Sequence, residues 1–430
     1  HPTLALKMLF NLSALSALAA ILSSVSAYKA QFPSSNELFK PSYTTSETAS
    51  KSSSASASAS AHLSYIPSAV TTAGLNDTMY SDYKLYSPKM FIINMFSLEE
   101  SPFLETYDFV NEIQIPGLSP IYNSIHCDEN YELCQLTTGE GEINAASTLT
   151  ALSLSPFFDL SKTFFLVAGI AGISPLKGTI GDVTFAKYAV QILEYELDAR
   201  DLPSNWTTGY YALGTDEPND YPINIYGTEV FELNENLRNR ALSLAQNALL
   251  YNGSKINNEF RLTYNYAPAN ETPKAIACDT LTGDTYWFGK LLDETFDNYT
   301  TLITNGTGNY CTTQQEDNAT LEALIRAAIY GLVDFSRIVV MRSASDFTYS
   351  DNYLGNKTVE FFDDVYQGGV TASLVNLVYA SQPFINDVLT NFDDYDNGLY
   401  DADNYIGDFF NSLGEDIDIR TWGNPTWGTA

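Results

Sequence analysis

Short apolar runs alternate with helix-patterned segments along this chain, and the alternation constrains the fold more than any other feature. The predicted strands are KMFIINMF (89–96), YELCQLTT (131–138), TFFLVAGIAG (163–172), GDVTFAKYAVQIL (181–193) and RIVVMR (337–342). The predicted helices, with apolar positions at helical spacing, are 144–155, 234–253 and 321–331. For the second helix, Asn234 is the expected N-cap and Gly253 the expected stop. This order predicts an α/β fold with a mixed, mostly parallel sheet covered by helices on both faces.

The most strongly apolar run is too short to cross a membrane. It covers residues 163–173, which is eleven residues, whereas a spanning helix needs about 20. The sequence therefore predicts that no segment of the folded part inserts into a membrane.

The charge balance argues against polymer partners. With 21 Lys and Arg against 52 Asp and Glu, the net charge is −31. Such a surface repels nucleic-acid phosphates and anionic membrane surfaces, so no nucleic acid is expected as a partner.

The histidines are His1, His62 and His126, of which two lie in the N-terminal tail. A histidine zinc site or a Ser-His-Asp triad is therefore not expected, and we expect neither a metal nor another cofactor.

The N-terminal region divides into two predicted segments. Residues 1–27 contain a basic start, an apolar stretch and a small-residue end at Ala27, which predicts a secretory signal; an N-terminal membrane anchor is the alternative. Residues 28–83 include the tract SYTTSETASKSSSASASASA (42–61), which predicts a disordered spacer. One folded domain is expected over 84–430.

Two further features agree with an extracellular location, either secreted or at the cell surface. N-glycosylation sequons begin at Asn76, Asn205, Asn252, Asn270, Asn298, Asn305, Asn318 and Asn356. Four cysteines suit two disulfides in an oxidising compartment. The favoured pairs are Cys127–Cys134 and Cys278–Cys311, and the other two pairings stay open.

Five segments, in order, resemble the nucleoside phosphorylase and nucleosidase superfamily, and more closely the fungal family named purine nucleoside permease. The segments, between about residues 85 and 350, are KMFIINMFSLEESPF, CQLTTGEGEINAAS, TFFLVAGIAGISPLKGTIGDV, AIACDTLTGDTYWFGKLL, and CTTQQEDNATLEAL taken with RIVVMRSASDFT. The resemblance implies a three-layer nucleoside-phosphorylase-like fold and a purine nucleoside as the small-molecule ligand. The family name implies transport, whereas the superfamily cleaves N-glycosidic bonds.

The resemblance also assigns the acid that protonates the departing purine. Asp346, just past the strand that ends in Arg342, matches the superfamily's catalytic Asp. Its carboxyl needs a raised pKa if it is to hold a proton for purine N7. A helix-capping Asp is the alternative reading. Arg342 is expected either to orient Asp346 or to pair with a surface carboxylate.

Other segments supply the predicted contacts to ribose and base. Glu316 resembles the ribose-binding glutamate, with Glu322 as a competitor at a more typical distance from Asp346. The Gly loop after the second strand contributes Thr138 and Gly139. The base-binding segment contributes Asp284, Tyr286 and Trp287, with Tyr286 preferred for stacking on the purine and core packing as the alternative for both aromatic residues.

The charge pattern favours water over phosphate as the nucleophile. Phosphate favours fixed positive charge, commonly arginine, yet the first arginine of the chain is Arg200, and the Gly loop presents Glu140 and Glu142 instead. Hydrolysis is therefore favoured, and the resemblance to the nucleosidases implies Glu99 as the water-activating base, with Glu100 as its rival. Backbone donors with Thr137 and Thr138, or an arginine lent by a second subunit of a homo-oligomer, stay open as phosphate ligands.

The leading hypothesis is a secreted purine nucleosidase that releases base and ribose. A purine nucleoside phosphorylase is the nearest alternative. A cell-surface nucleoside-binding or uptake component without catalysis, and a wall or storage glycoprotein on the same fold, are alternatives from other classes. The sequence leaves open whether adenosine, inosine or guanosine is preferred.

Overall fold

A computed structural model of the chain describes residues 85–350, 357–424 and 427. The predicted signal segment, the predicted spacer and the sequons at Asn76 and Asn356 lie outside these residues.

Helices and strands alternate along the described chain. The strands are β1 (Met90–Asn94), β2 (Asn111–Ile113), β3 (Ile125–Cys127), β4 (Leu133–Thr137), β5 (Phe164–Ile173), β6 (Val183–Phe185), β7 (Tyr188–Gln191), β8 (Glu194–Glu196), β9 (Tyr210–Ala212), β10 (Val230–Glu232), β11 (Ala275–Ala277), β12 (Asp279–Thr282), β13 (Tyr310–Gln314) and β14 (Ile338–Phe347). The helices are α1 (Ser97–Thr106), α2 (Glu142–Ser153), α3 (Glu235–Ala245), α4 (Lys255–Arg261), α5 (Lys290–Ile303), α6 (Asp317–Ala328), α7 (Thr358–Asp364), α8 (Val370–Thr390) and α9 (Phe392–Asp396).

One large mixed sheet organises the fold, and β5 lies at its centre. Its main path runs β10-β7-β12-β13-β5-β1-β4-β3-β2, and β14 pairs in parallel with β5 over nearly its whole length. Strands β4, β1, β5 and β14 are mutually parallel, so their carboxyl ends share one edge. The hairpin of β8 and β9 forms a separate two-stranded sheet.

The alternating side chains of the central strands enter two different cores. Phe91 and Ile93 pack on one face against residues of α2 and α6, such as Leu149 and Leu324. Met90 and Ile92 pack on the opposite face, where α1, α3 and α8 contribute residues. Because both faces are covered, these strands are apolar along their whole length. The predicted three-layer arrangement, a mixed sheet flanked by helices, is confirmed.

Several predicted element boundaries differ from the structure. The predicted strand 181–193 is broken into β6 and β7, and the strand predicted at 337–342 continues to Phe347. Asn234 does cap α3, but the helix ends at Ala245 rather than near Gly253. Beyond the helix, Asn376 of α8 accepts a hydrogen bond from Tyr251 N and donates one to Tyr251 O. This tertiary contact holds the segment outside the helix.

Two disulfides tie neighbouring strands together in the pairing that the sequence analysis favours. Cys127 and Cys134 face each other across β3 and β4, and Cys278 joins Cys311 over a separation of 33 residues.

Among the described residues, no helix combines the length and the apolar character that a membrane span requires.

Candidate functional site

Strand β14 carries both the predicted acid and the predicted arginine of the site. Arg342 lies beside Gly169 of β5, and Asp346 lies beside Gly172. A bulge between Ala344 and Asp346 inserts one extra residue on β14. Four residues of strand extend over at most about 13 Å, which is the scale of a nucleoside.

Arg342 is the centre of a buried ionic cluster. Its exposed fraction is 2%, and Nη2 lies 2.5 Å from Asp317 Oδ1 and 3.2 Å from Glu316 Oε2. Nη2 also donates to Gln314 Oε1 at 3.3 Å, and Nη1 donates to the Ile170 carbonyl at 3.1 Å. Sequence reasoning expected a partner in Asp346 or at the surface. The partners are buried carboxylates instead, because β13 and the start of α6 bring Glu316 and Asp317 over the guanidinium.

Glu99, in the first turn of α1, completes this cluster. Its Oε2 accepts from Met95 N at 2.8 Å and its Oε1 accepts from Ile170 N at 2.7 Å. Burial is the main reason that the pKa of this carboxyl is raised to about 8; the nearby Glu316 acts in the same direction, while the Arg342 charge and the two backbone hydrogen bonds oppose the rise. At neutral pH the Glu99 carboxyl is therefore mostly protonated and gains its charge near pH 8.

Gly169 lets Glu99 and Arg342 approach one point of the backbone. A Cβ at this position would lie 2.4 Å from Arg342 Nη1 and 2.8 Å from Glu99 Oε1. Only glycine leaves that space free.

The Gly169→Ala substitution is therefore expected to displace the guanidinium and abolish activity, with a loss of about 1–3 kcal/mol in the free energy of unfolding from overpacking. Urea unfolding and a nucleoside-cleavage assay measure the two effects. Gly306→Ala is the matched control, since Gly306 has φ +79 with nothing within 4 Å of an added Cβ. It should lower stability by a similar amount and leave turnover intact. An active Gly169→Ala protein would contradict the role given to this contact.

The amide groups at the start of α2 are already bonded to carboxylates of the protein. Gly141 N donates to Glu316 Oε1 at 2.9 Å, and Glu142 N donates to Asp284 Oδ1 at 2.8 Å. A helix N-terminus is a favourable place for an anion, and here two side chains provide that charge. Gly139 and Gly141 both have positive φ, near 90°, which allows the loop its tight turn.

The hydroxyls of the Gly loop also have partners within the protein. Thr138 Oγ1 donates to the Gly139 carbonyl at 2.8 Å, and Thr137 Oγ1 accepts from Gln135 Nε2 at 2.9 Å. Burial raises the pKa of Glu142, and the charges of Asp284 and Glu316 raise it further. These carboxylates therefore give the Gly loop a negative electrostatic potential.

Asp346 lies at the carboxyl end of β14 with two hydroxyls beside it. Ser345 Oγ donates to Asp346 Oδ1 at 2.6 Å, and the Tyr286 hydroxyl forms a second hydrogen bond to the carboxyl. Removal of the carboxyl from bulk water raises its pKa, and both hydroxyls oppose the rise. The Asp346 charge in turn raises the pKa of the Tyr286 hydroxyl. Asp346 does not cap a helix, since it lies within β14.

The two aromatic residues of the base-binding segment face opposite directions. Tyr286 is 65% exposed and its ring lies 5.6 Å from that of Phe362. Trp287 is 7% exposed and packs against Phe296 at 4.9 Å between ring centroids, within a hydrophobic core. Tyr286 bonds to Asp346, whereas Trp287 enters the core. For Trp287, core packing, which was the alternative to a contact with the purine, is what the structure shows.

The rival glutamates lie elsewhere. Glu322 pairs with Arg326 along α6 at 2.5 Å, and Glu100 lies 3.5 Å from His126. The structure therefore brings Glu316 and Glu99 together around Arg342 and leaves both rivals outside the cluster.

Sequence reasoning did not assign Asp317 or Gln314 to the site, and it placed a sequon at Asn318. Asn318 is 1% exposed, its Nδ2 donates to the Thr228 carbonyl at 2.7 Å, and its Oδ1 accepts from Thr282 at 2.8 Å. An amide nitrogen engaged in this way has no room for a glycan. The polar run Gln-Gln-Glu-Asp-Asn before a helix was the available signal, since buried polar groups are expected to bond to one another.

Comparison with known proteins places this chain among close relatives. The model of the family described as purine nucleoside permease matches residues 87–400. A purine nucleoside permease of Candida albicans (strain SC5314) is 51% identical over 354 residues, which cover 81% of this chain and 86% of that protein. A probable purine nucleoside permease of Schizosaccharomyces pombe (strain 972) is 41% identical over 321 residues, which cover 72% of this chain and 91% of that protein.

Solved structures with a similar arrangement are more distant. The futalosine hydrolase of Helicobacter pylori strain 26695 aligns with 70% of this chain and 98% of its own, at 17% identity and a TM-score of 0.41. A 5′-methylthioadenosine/S-adenosylhomocysteine nucleosidase from Colwellia psychrerythraea 34H, in complex with adenine, covers 70% of this chain and 97% of its own at 15% identity and a TM-score of 0.42.

Proposed function

Because the chain belongs to the purine nucleoside permease family, we propose that it acts on purine nucleosides outside the cell, by hydrolysing the N-glycosidic bond to free base and ribose. One observation carries the proposal. Arg342 lies among the carboxylates of Glu99, Glu316 and Asp317 at the carboxyl edge of the central strands, and Asp346 lies farther along the same strand. This spacing suits a ligand with a sugar at one end and a base at the other.

Asp346 provides the acid for the leaving base in this proposal. A departing purine needs a proton at N7, and burial raises the pKa of the Asp346 carboxyl, which favours the protonated form that donates it. Tyr286 is exposed beside the acid, so its ring is available to stack on the purine.

Glu316 binds the ribose and stabilises its positive charge. The Gly141 amide and Arg342 hold this carboxylate in place, while its burial excludes competing water. A fixed carboxylate accepts hydroxyl protons from the sugar and favours the oxocarbenium character that develops as the bond breaks.

Glu99 activates the attacking water in this proposal. When ionised, it accepts the proton of that water, and the charge of the neighbouring Arg342 helps to orient the water. Ionisation near pH 8 makes Glu99 a stronger base than an ordinary carboxylate.

Hydrolysis is preferred to phosphorolysis because the anion-binding groups of the loop are in use. The Gly141 and Glu142 amides donate to carboxylates, and the Thr138 hydroxyl donates to a carbonyl. A phosphate dianion would have to displace Glu316 and Asp284 while facing the charge of Glu142. Arg342, the nearby cation, already carries two carboxylates.

The extracellular location is part of the proposal and rests on two features. Both disulfides form in the folded chain, which suits an oxidising compartment. Sequons such as Asn205 and Asn298 are exposed.

The second candidate function is a nucleoside-binding or uptake component without catalysis, which the names of the relatives favour.

Incubation of the purified protein with adenosine, inosine or guanosine tests these readings. We expect free base and free ribose in phosphate-free buffer, with little acceleration by added phosphate. Strict phosphate dependence and ribose 1-phosphate as product would replace hydrolysis by phosphorolysis. Tight binding without turnover would support the uptake component, and neither binding nor turnover would support a structural glycoprotein.

A further inference from the structure

A second cleft lies outside the Arg342 cluster, between the β8–β9 hairpin and one face of α5. Its volume is about 190 Å³. Glu194 and Tyr210 contribute from the hairpin, and Asn298 and Tyr299 contribute from α5. None of the residues that line it belongs to the proposed catalytic site.

Glu194 supplies a buried polar group with nothing to bond. Its Oε2 is inaccessible to solvent and has no hydrogen-bond partner among the described residues. Burial raises the pKa of this carboxyl to about 8, so it is mostly neutral at pH 7. An unsatisfied buried oxygen is costly, and such groups in native proteins call for an explanation. A ligand group in the cleft that bonds to Glu194 would remove the cost.

The lining of the cleft selects the chemistry of that ligand. Hydroxyls of Thr207, Thr208 and Thr295 and the amide of Asn219 supply neutral donors and acceptors, and Tyr210 supplies a ring. No Lys, Arg or His lines the cleft, and Glu194 and Glu294 do, so an anion is disfavoured. This set fits a neutral ligand that is rich in hydroxyls and carries an amide, as an N-acetylhexosamine does.

The chain itself offers an attachment point for such a sugar. Asn298 lines the cleft, is exposed, and begins the sequon Asn298-Tyr299-Thr300. In contrast, the amide of Asn318 is buried and bonded. A sugar attached at Asn298 would reach the cleft at high effective concentration, because attachment makes binding intramolecular.

We propose that the cleft between β8–β9 and α5 holds the first N-acetylglucosamine of a glycan attached to Asn298. The sugar bonds to Glu194 and joins the hairpin to the helix. The inference rests on the extracellular part of the proposed function and is independent of catalysis.

The test uses the full chain made through a eukaryotic secretory pathway. Endoglycosidase H leaves one N-acetylglucosamine on each high-mannose site, so the trimmed protein retains the proposed occupant. We expect trimming to leave the Tm unchanged, and Asn298→Gln to lower it by about 2 °C, which is the order expected for one modest contact in a domain of this size. Asn270→Gln removes a sequon outside the cleft and should have no effect.

Two controls separate the sugar from the side chains. In protein made in a bacterial host without glycosylation, Asn298→Gln should match the wild type. In glycosylated protein, Glu194→Ala should lower the Tm, and combining it with Asn298→Gln should add little, which is the signature of coupled partners.

Three outcomes would overturn the inference. If mass spectrometry finds a glycan at Asn270 and none at Asn298, the inference fails while the extracellular proposal stands. If neither site is modified, both fail. If Asn298→Gln has no effect but free N-acetylglucosamine raises the Tm, the cleft binds free saccharides and the attached occupant is wrong.

Discussion

Asp346→Asn is expected to lower kcat for purine nucleoside cleavage by about 10²–10⁴-fold, the usual contribution of a general acid. Asparagine preserves the shape of the side chain and can still accept from Ser345, but it carries no proton to transfer to N7. The change should fall on kcat, while KM changes little, because the acid acts as the base departs. Steady-state kinetics with inosine or adenosine measure it.

Asp198→Asn is the matched control, since Asp198 is exposed and pairs with Arg200 at the surface. It should retain full activity. Ser345→Ala removes a hydrogen bond that lowers the pKa of Asp346, so the acidic form should persist to higher pH. If Asp346→Asn keeps the kcat of the wild type, Asp346 is not the acid and the mechanism is wrong.

Glu99→Gln is expected to lower kcat/KM by a similar factor and to change its dependence on pH. In the wild type, kcat/KM should have a limb that rises with pH as Glu99, whose pKa is about 8, becomes the charged base, over the range in which Asp346 keeps its proton. Glutamine has no titrating group, so the rising limb should disappear. A pH profile between 5 and 9 measures it.

Glu100→Gln is the comparison, because Glu100 faces His126 instead of Arg342. It should retain the rising limb. Loss of the limb in Glu100→Gln and its persistence in Glu99→Gln would exchange the two roles.

The same raised pKa makes stability depend on pH in the opposite direction. The folded chain binds the Glu99 proton more tightly than the unfolded chain, whose pKa is near 4.5. The stabilisation is complete below about pH 4.5 and is lost as the pH rises to about 8, where the folded group ionises. The charge that the proposed chemistry needs is therefore gained at the upper end of the range over which the fold loses this stabilisation.

Much of the fold was predictable because its signals are local. Runs such as 89–96 and 163–172 are apolar throughout, which is typical of strands buried on both faces, and β1 and β5 lie inside them. Asp346 and Glu99 were assigned through the resemblance of RIVVMRSASDFT and KMFIINMFSLEESPF to the superfamily, and their catalytic roles stay predictions. The capping of α3 by Asn234 depends on adjacent residues and was also predictable.

The contacts around Arg342 could not be predicted because they depend on tertiary structure. Asp317 is 25 residues from Arg342 in sequence, and its carboxylate is placed by the packing of α6 against the sheet. The early end of α3 depends on Asn376, more than a hundred residues away. The different environments of Tyr286 and Trp287 depend on the direction in which the chain enters the site.

The bulge on β14 limits which insertions and deletions the protein can tolerate. Arg342 and Asp346 are joined by three residues, so their separation is set by covalent chain and not by the packing of mobile loops. Deleting or duplicating one residue in this stretch would reverse the direction of every side chain beyond it. Relatives that share this site should therefore keep the number of residues between the arginine and the aspartate.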